Sequence, residues 1–487
     1  MKQKIKGFIK DALIYGVGDA LGKLTNLLLL PILSRIFTPA DYGVVDLLTA
    51  SYIFLFMTLN FNVLTGFQKF FFLNQEENRK VLVSSTIGCY FVFYAVISIL
   101  LIGGAKYISC AFFGSDLYVT PIIFLAICMP IEGLYDALTI LLRLKRLSVA
   151  FSVVNICRLI LTILISYCCV VMFEFGISGV FFARLIALFV ITSYLLLFLL
   201  KEFSLNFSFK MYKRMFLFSI PGHPDIIIKS FMSVLPLLML KHFSTLTEVG
   251  LYGIANRIAQ TLTLFINAFQ KAWNPFAFEH ADKPDEANLY SKVYKLFFAV
   301  IVFLGLVLTI FAKEVIEILT PREYHSAYTL VGGLNLYYGL LGLNLIYSTI
   351  FYTKNKVKYT SLLTATHLFI FFVMASLWTG RYAAPGLLAA LNVSIFINVI
   401  LYHCFGTHLL KFKVQIGRLA LAFGVACGGV VILDHLTVPL VGRIVFKSIY
   451  LIVFMGALPI TILNSNERKA LVEFLKGRFR IESRGVT

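Results

Sequence analysis

Charge is what this chain has least of. Only 14% of its 487 residues are Asp, Glu, Lys or Arg, against 59% that are hydrophobic, and a globule in water needs more polar surface than that. A soluble fold is therefore excluded. Acidic residues are scarcest, 24 against 43 basic, for a net charge of +19. In a soluble protein that excess would suggest nucleic acid, but here most Lys and Arg fall between apolar runs, so topology explains them and no nucleic-acid partner is expected. The eight cysteines form no CxxC pair and no Cys/His cluster at zinc spacing, which leaves them as small membrane-buried hydrophobes rather than a disulfide framework or metal site. HExxH, GxSxG and Walker motifs are missing, as is any long loop with paired carboxylates, so no catalytic residue, metal or cofactor is expected. Energy for any transport must then come from the substrate gradient, from H+ or Na+ coupling, or from the membrane potential. Lys2, Lys4, Lys6 and Lys10 precede the first apolar stretch, but no small-residue cleavage site follows, so that stretch reads as a retained helix.

Apolar segments of membrane-spanning length recur throughout the chain. The expected fold is an all-α polytopic membrane protein of about 14 transmembrane helices: 11–33, 42–66, 81–104, 119–142, 149–172, 177–200, 215–240, 249–272, 293–312, 327–352, 358–378, 385–405, 416–433 and 440–463. An even count puts both termini on one side. The termini and even-numbered loops hold 30 Lys and Arg, and the odd-numbered loops hold 8, namely Arg35, Lys106, Lys241, Lys313, Arg322, Arg381, Arg443 and Lys447. The positive-inside rule therefore places both termini in the cytoplasm. With Lys and Arg towards the span ends counted in the adjoining loops, five basic residues remain within spans: Lys23, Arg158, Arg184, Lys229 and Arg257.

The chain also repeats itself. GVGDALGKLTNLLLLPILSRIFTPADYG from Gly16 is echoed by GHPDIIIKSFMSVLPLLMLKHFSTLTEVG from Gly222, with Gly16, Asp19, Lys23 and Arg35 matching Gly222, Asp225, Lys229 and Lys241 at an offset of 206. After one extra loop residue, Asp41 and Gly43 meet Glu248 and Gly250 at 207, as Gly179 meets Gly386. The offset carries span one onto span seven, so each unit has six helices and the two units run parallel, related by an axis along the membrane normal. The expected organisation is an N-lobe at 1–205, a C-lobe at 206–410, and spans 13 and 14 with a basic tail at 411–487.

Ionisable groups at membrane depth are costly, about 2.5–3.5 kcal/mol each, so they face a bundle interior or an aqueous cavity. Asp19 and Lys23 are four residues apart, hence neighbours on one helix face, and Asp225 and Lys229 repeat the geometry. Two such faces would line one central cavity; the alternative is a pair of salt bridges that only join helices. Adding Arg158, Arg184 and Arg257 makes the cavity cationic, although Asp46, Glu132 and Asp136 absorb part of the excess. His223 beside Asp225 is a candidate for proton coupling, against the commoner role of a hydrogen-bonded packing histidine. Gly16, Gly18 and Gly22 in span one, and Pro221, Gly222 and Pro224 in span seven, weaken both helices beside the charges, as expected of a transport pathway or of close helix packing.

These motifs resemble the polysaccharide flippases of the exporter superfamily that also holds multidrug extruders and lipid II flippases. The resemblance rests on IYGVGDALGKLTNLLLLPILSRIFTPADYG, on LTEVGLYGIANRI and on GISGVFFARLIA, and it covers essentially the whole chain. It implies two six-helix lobes forming a V, with two further C-terminal helices. It also implies a cationic cavity that takes the diphosphate and sugar of an undecaprenyl-linked oligosaccharide, and alternating access across the bacterial inner membrane for O-antigen or capsule-like assembly. Lys23, Lys229, Arg257, Arg184 and Arg158 would bind that cargo; Asp19, Asp225, Asp46 and His223 would balance charge or couple to an ion. The implied partners are the lipid-linked oligosaccharide, the bilayer and other polysaccharide assembly proteins. Lipid II flippases carry basic residues on spans one, two and eight; Lys23 and Arg257 match, but span two offers Asp46, which argues against lipid II as cargo. A cation-coupled multidrug extruder and a membrane glycan polymerase or ligase are the alternatives. The first would prefer an acid-lined cavity, and the second needs a sizeable outer loop.

Overall fold

A computed structural model describes residues 28–73, 75–412, 416–434 and 440–462. Among them the regular structure is helical throughout. The first half holds α1 (Pro39–Leu59), α2 (Val63–Leu73), α3 (Glu76–Phe113), α4 (Val119–Leu144), α5 (Ser148–Tyr167), α6 (Gly176–Phe198), α7 (Phe209–Ser219) and α8 (His223–Phe243). The second holds α9 (Leu246–Ala259), α10 (Thr261–Glu279), α11 (Glu286–Ile310), α12 (Ala312–Leu319), α13 (Tyr328–Thr353), α14 (Lys358–Leu409), α15 (Ile416–Asp434) and α16 (Leu440–Ile462).

Nine helical stretches among the described residues are long and apolar enough to cross a membrane. The 52-residue α14 contains two of the expected spans, because Ala383 breaks it with φ 49° and ψ −132°. Spans seven and eight are likewise interrupted, by a 3-10 turn at Ile220–Gly222 between α7 and α8 and by the junction of α9 and α10. Most of span one, with Asp19, Lys23 and its glycines, lies outside the described residues. The protein is a multi-pass membrane protein, and the described residues fall into two compact units. One ends at Gly253 and takes in Leu319–Tyr324; the other comprises Ile254–Ile318 and the residues from His325 onward.

In the first unit, Thr38 caps α1 through its side chain and Asp41 answers with a capping box, while Pro39 occupies the first turn. At the other end Phe61 and Asn62 take positive φ values of 49° and 55° and break the helix from α2. Three side chains collect the carbonyls freed there: Tyr94 Oη donates to Phe56 at 3.0 Å, His223 Nε2 to Thr58 at 2.8 Å and Tyr90 Oη to Asn60 at 3.2 Å. In lipid those groups have no water to turn to. The break is thereby a fixed feature of the unit, packed between α3 and α8.

The second unit is held together by polar side chains as well as apolar ones. Asn344 donates to Asn398 at 2.9 Å, Asn398 to the Leu363 carbonyl at 2.7 Å, and Asn335 to Thr309 at 3.0 Å. Such interhelical bonds are a normal adhesive where lipid removes the hydrophobic drive for helix association. Lys447 falls inside the expected span 440–463, although the charge count assigned it to an outer loop. It lies within α16, nearly fully buried, with its ammonium 2.7 and 2.8 Å from the two Glu314 oxygens and 2.7 Å from the Ile310 carbonyl. All three N–H donors are satisfied, which is why a charge tolerates that depth and why counting it with the loops was misleading.

A buried arginine–glutamate–arginine site

The centre of charge in the first unit is Glu132. It sits midway along α4, two residues after Pro130, and is 8% exposed. Arg158 of α5 reaches Oε1 with Nη2 at 2.7 Å, and Arg184 of α6 reaches Oε2 with Nη2 at 3.2 Å. Each guanidinium is also backed by an aromatic ring. Arg158 lies 4.4 Å from the Tyr135 ring centroid and Arg184 lies 4.5 Å from that of Tyr52 on α1. Tyr135 is in turn fixed by donating to Asn155 Oδ1 at 3.0 Å. Four helices therefore converge on one carboxylate.

One acid against two bases leaves a formal charge of +1 on the triad, with Asp136 one helical turn further along α4. Cation–π contact is worth about 1–2 kcal/mol per ring when desolvated, so Tyr52 and Tyr135 hold the surplus positive charge without neutralising it. About a fifth to a quarter of each arginine side chain stays exposed, and Arg184 Nε–H has no acceptor among the described residues. The arrangement can accept an anion: two rigid donor forks are held in place, and the carboxylate does not use all of their N–H groups.

The sequence grouped Arg158 and Arg184 with Lys229 and Arg257. Glu132 brings the two arginines together, and neither salt bridge could be read from spacing because the partners stand 26 and 52 residues apart. Lys229 instead pairs with Asp225 on its own helix, Nζ to Oδ2 at 2.6 Å, as the four-residue spacing predicts. Asp225 occupies the first turn of α8, where an acid suits the helix dipole, and the Lys229 side chain remains 60% exposed. His223 is buried against Phe61, and its Nε2–H serves the Thr58 carbonyl. Asp46 on α1 presses on Gly253 so closely that a Cβ there would lie 1.7 Å from Oδ2. Arg257 is on α9, in the second unit. Asp19 and Lys23 lie outside the described residues. Among the described residues no three His, Cys, Asp or Glu cluster as a metal site would require.

Comparison with solved structures fixes the fold. The lipid II flippase MurJ in an inward closed conformation superposes with a TM-score of 0.71 at 11% identity, over 94% of this chain and 100% of that one. An inward-facing multidrug resistance MATE family transporter of the MOP superfamily gives 0.67 at 13% identity, over 80% and 96%. An outward-facing one gives 0.58 at 13% identity, over 84% and 96%. At such identities the likeness is one of fold alone. No curated protein matches the sequence. A family model described as "Polysaccharide biosynthesis protein" matches residues 32–329, more than half of the chain. The chain belongs to the polysaccharide biosynthesis protein family.

Proposed function

We propose that the protein flips an undecaprenyl-diphosphate-linked oligosaccharide unit from the cytoplasmic to the outer leaflet of the bacterial inner membrane, by alternating access, for assembly of a surface polysaccharide. The observation that carries this reading is the Arg158–Glu132–Arg184 triad, a net positive, desolvated site inside a membrane-embedded bundle of a chain from a polysaccharide biosynthesis family. A diphosphate headgroup needs cationic forks of that kind to replace its water. The fold shared with a lipid II flippase supports a lipid-linked cargo.

In this reading Lys23, Lys229 and Arg257 extend the cationic path, and Asp19, Asp225 and Asp46 balance it. The lobes are 1–205 and 206–410, with the 411–487 segment appended and both termini cytoplasmic. Coupling is to H+, to Na+ or to the membrane potential, since the sequence has no nucleotide motif. Other polysaccharide assembly proteins are the expected partners.

The test is complementation of a strain lacking this gene. Arg158→Ala and Arg184→Ala should each abolish surface glycan and accumulate lipid-linked units in the inner leaflet, while membrane insertion is unchanged. Normal glycan from both variants would sink the reading. Drug extrusion is the second reading, favoured by the MATE-type fold; a cationic drug would be repelled by the triad, and this reading alone predicts altered drug resistance.

A further inference from the structure

A cavity of about 560 Å³ opens beside the break in α1, within the range of ligand pockets, roughly 300–1,000 Å³. Its walls are Phe61 at the break, Phe93 of α3, and Tyr212, Phe216 and Leu217 of α7, and its only charged lining residue is Lys213. The remaining surface of α7 matches that combination. Phe209, Leu217 and Phe218 are exposed beside Lys210, Lys213 and Arg214, a mix of basic and aromatic side chains that suits the lipid headgroup boundary at the start of a span. Two neighbouring cations are already engaged with rings, Arg214 over Phe70 and Lys69 over Phe218. Lys213 is the cation at the mouth.

We infer that this slot binds an anionic phospholipid, one acyl chain lying among the aromatic rings and the phosphate resting on Lys213. The occupant follows from complementarity. A hydrocarbon wall in a lipid-embedded bundle takes a hydrocarbon chain, and a lysine at its mouth with no acidic residue in the lining selects a negative headgroup over a zwitterionic one. The break in α1, whose carbonyls are taken up by Tyr90, Tyr94 and His223, sets Phe61 in the wall of the slot. This site is separate from the triad, and the inference does not rest on what the protein transports.

The experiment uses the full chain carrying Leu217→Trp in phosphatidylcholine vesicles, with the fluorescence of the native Trp273 and Trp378 subtracted by means of the wild-type protein. A minor fraction of brominated lipid is added, either phosphatidylglycerol or phosphatidylcholine with identical acyl chains. Brominated phosphatidylglycerol should quench as though enriched about fivefold at the new tryptophan, the factor that one lysine supplies near a surface. Lys213→Glu in the same background should erase the enrichment, and Lys213→Arg should keep it. Lys213 is exposed, so the variants should fold. Equal quenching by the two lipids, or a preference that survives Lys213→Glu, would overturn the inference. Relief of quenching by trace undecaprenyl phosphate would overturn it too, by assigning the slot to a polyprenyl chain.

Discussion

Gly43 and Gly250, 207 residues apart in sequence, meet backbone to backbone. A Cβ on Gly43 would lie 2.1 Å from the Leu246 carbonyl oxygen and 3.1 Å from Gly250 N; one on Gly250 would lie 1.9 Å from the Pro39 carbonyl oxygen and 3.0 Å from Gly43 N. Pro39 and Leu246 are themselves 207 apart, as are Asp46 and Gly253. The crossing of α1 with the start of α9 is thus self-complementary, each helix presenting to the other the position that the other presents to it. Local two-fold symmetry of this kind is what a duplicated chain produces when equivalent helices pack together.

Alanine at either glycine must push two backbones apart, because the obstructing atoms are carbonyls and not movable side chains. Gly43→Ala and Gly250→Ala should each lower stability by about 2–3 kcal/mol, read as thermal unfolding in detergent. The double variant should cost less than the sum, since the first change already opens the crossing. Gly253→Ala should be milder, because Asp46 can rotate away.

A second equivalence sets the next prediction. Gly176 and Ala383, again 207 apart, both take positive φ, 55° and 49°, and each stands three residues before a glycine packed on the preceding segment, Gly179 and Gly386. Only the first copy uses the residue suited to that backbone. Ala383→Gly should therefore raise stability by about 0.5–1 kcal/mol, the relief of strain exceeding the added freedom of the unfolded chain. Gly176→Ala should lower it by about 1 kcal/mol. Unchanged melting in both would contradict the equivalence.

These pairs show what the sequence made legible. The offset was visible in charges and glycines, and part of its physical cause is local: Thr38 caps α1 with Asp41, and Thr245 accepts from the Glu248 N–H at 3.3 Å, so the matched acids mark helix starts. Apolar helices among the described residues were legible because each is a run of apolar residues. The Glu132 triad was not, since its members sit on three helices and nothing in their spacing joins them. Lys447 was misplaced for the same reason: its partner Glu314 is 133 residues away, and a satisfied buried lysine looks like a loop lysine in sequence.

That pair makes its own prediction. With side chains 3% and 5% exposed, Lys447 and Glu314 cannot lose one partner cheaply. Lys447→Met alone should cost about 3–5 kcal/mol by stranding the carboxylate, whereas Lys447→Met with Glu314→Leu should lie close to wild type. A double-mutant cycle on detergent unfolding measures the difference. If both single variants melt like wild type, the ion pair is not what docks α16 on its unit.

Lys354, just beyond α13, gives a dependence on pH. Burial pulls its pKa down, but bonds to Asp282 and Glu286, both 2.7 Å, outweigh that and hold it above the ordinary lysine value. A raised folded value means the pair's contribution is fully present below the ordinary lysine range and is lost as pH rises through the raised value. Wild-type stability attributable to this pair should be flat from neutral to moderately alkaline conditions. Lys354→Met should cost about 2 kcal/mol in that window, since Glu286 is buried. The gap between wild type and variant should close in strongly alkaline buffer; a gap that persists there would contradict the assignment.

The sharpest separation of structure from transport lies in the triad. Glu132 is the joint of four helices, so Glu132→Ala should strand two buried guanidiniums and cost about 3–5 kcal/mol, with folded protein falling accordingly. Arg184→Lys keeps the charge and loses the fork that spans carboxylate and cargo. Its salt bridge is the longer of the two, at 3.2 Å, and it should fold nearly as well as wild type while transporting poorly. Arg158→Lys gives up a 2.7 Å contact and should lose both stability and transport. Folded yield and glycan export measured together decide this: export that tracks folded yield in all three variants would make the triad a structural joint only.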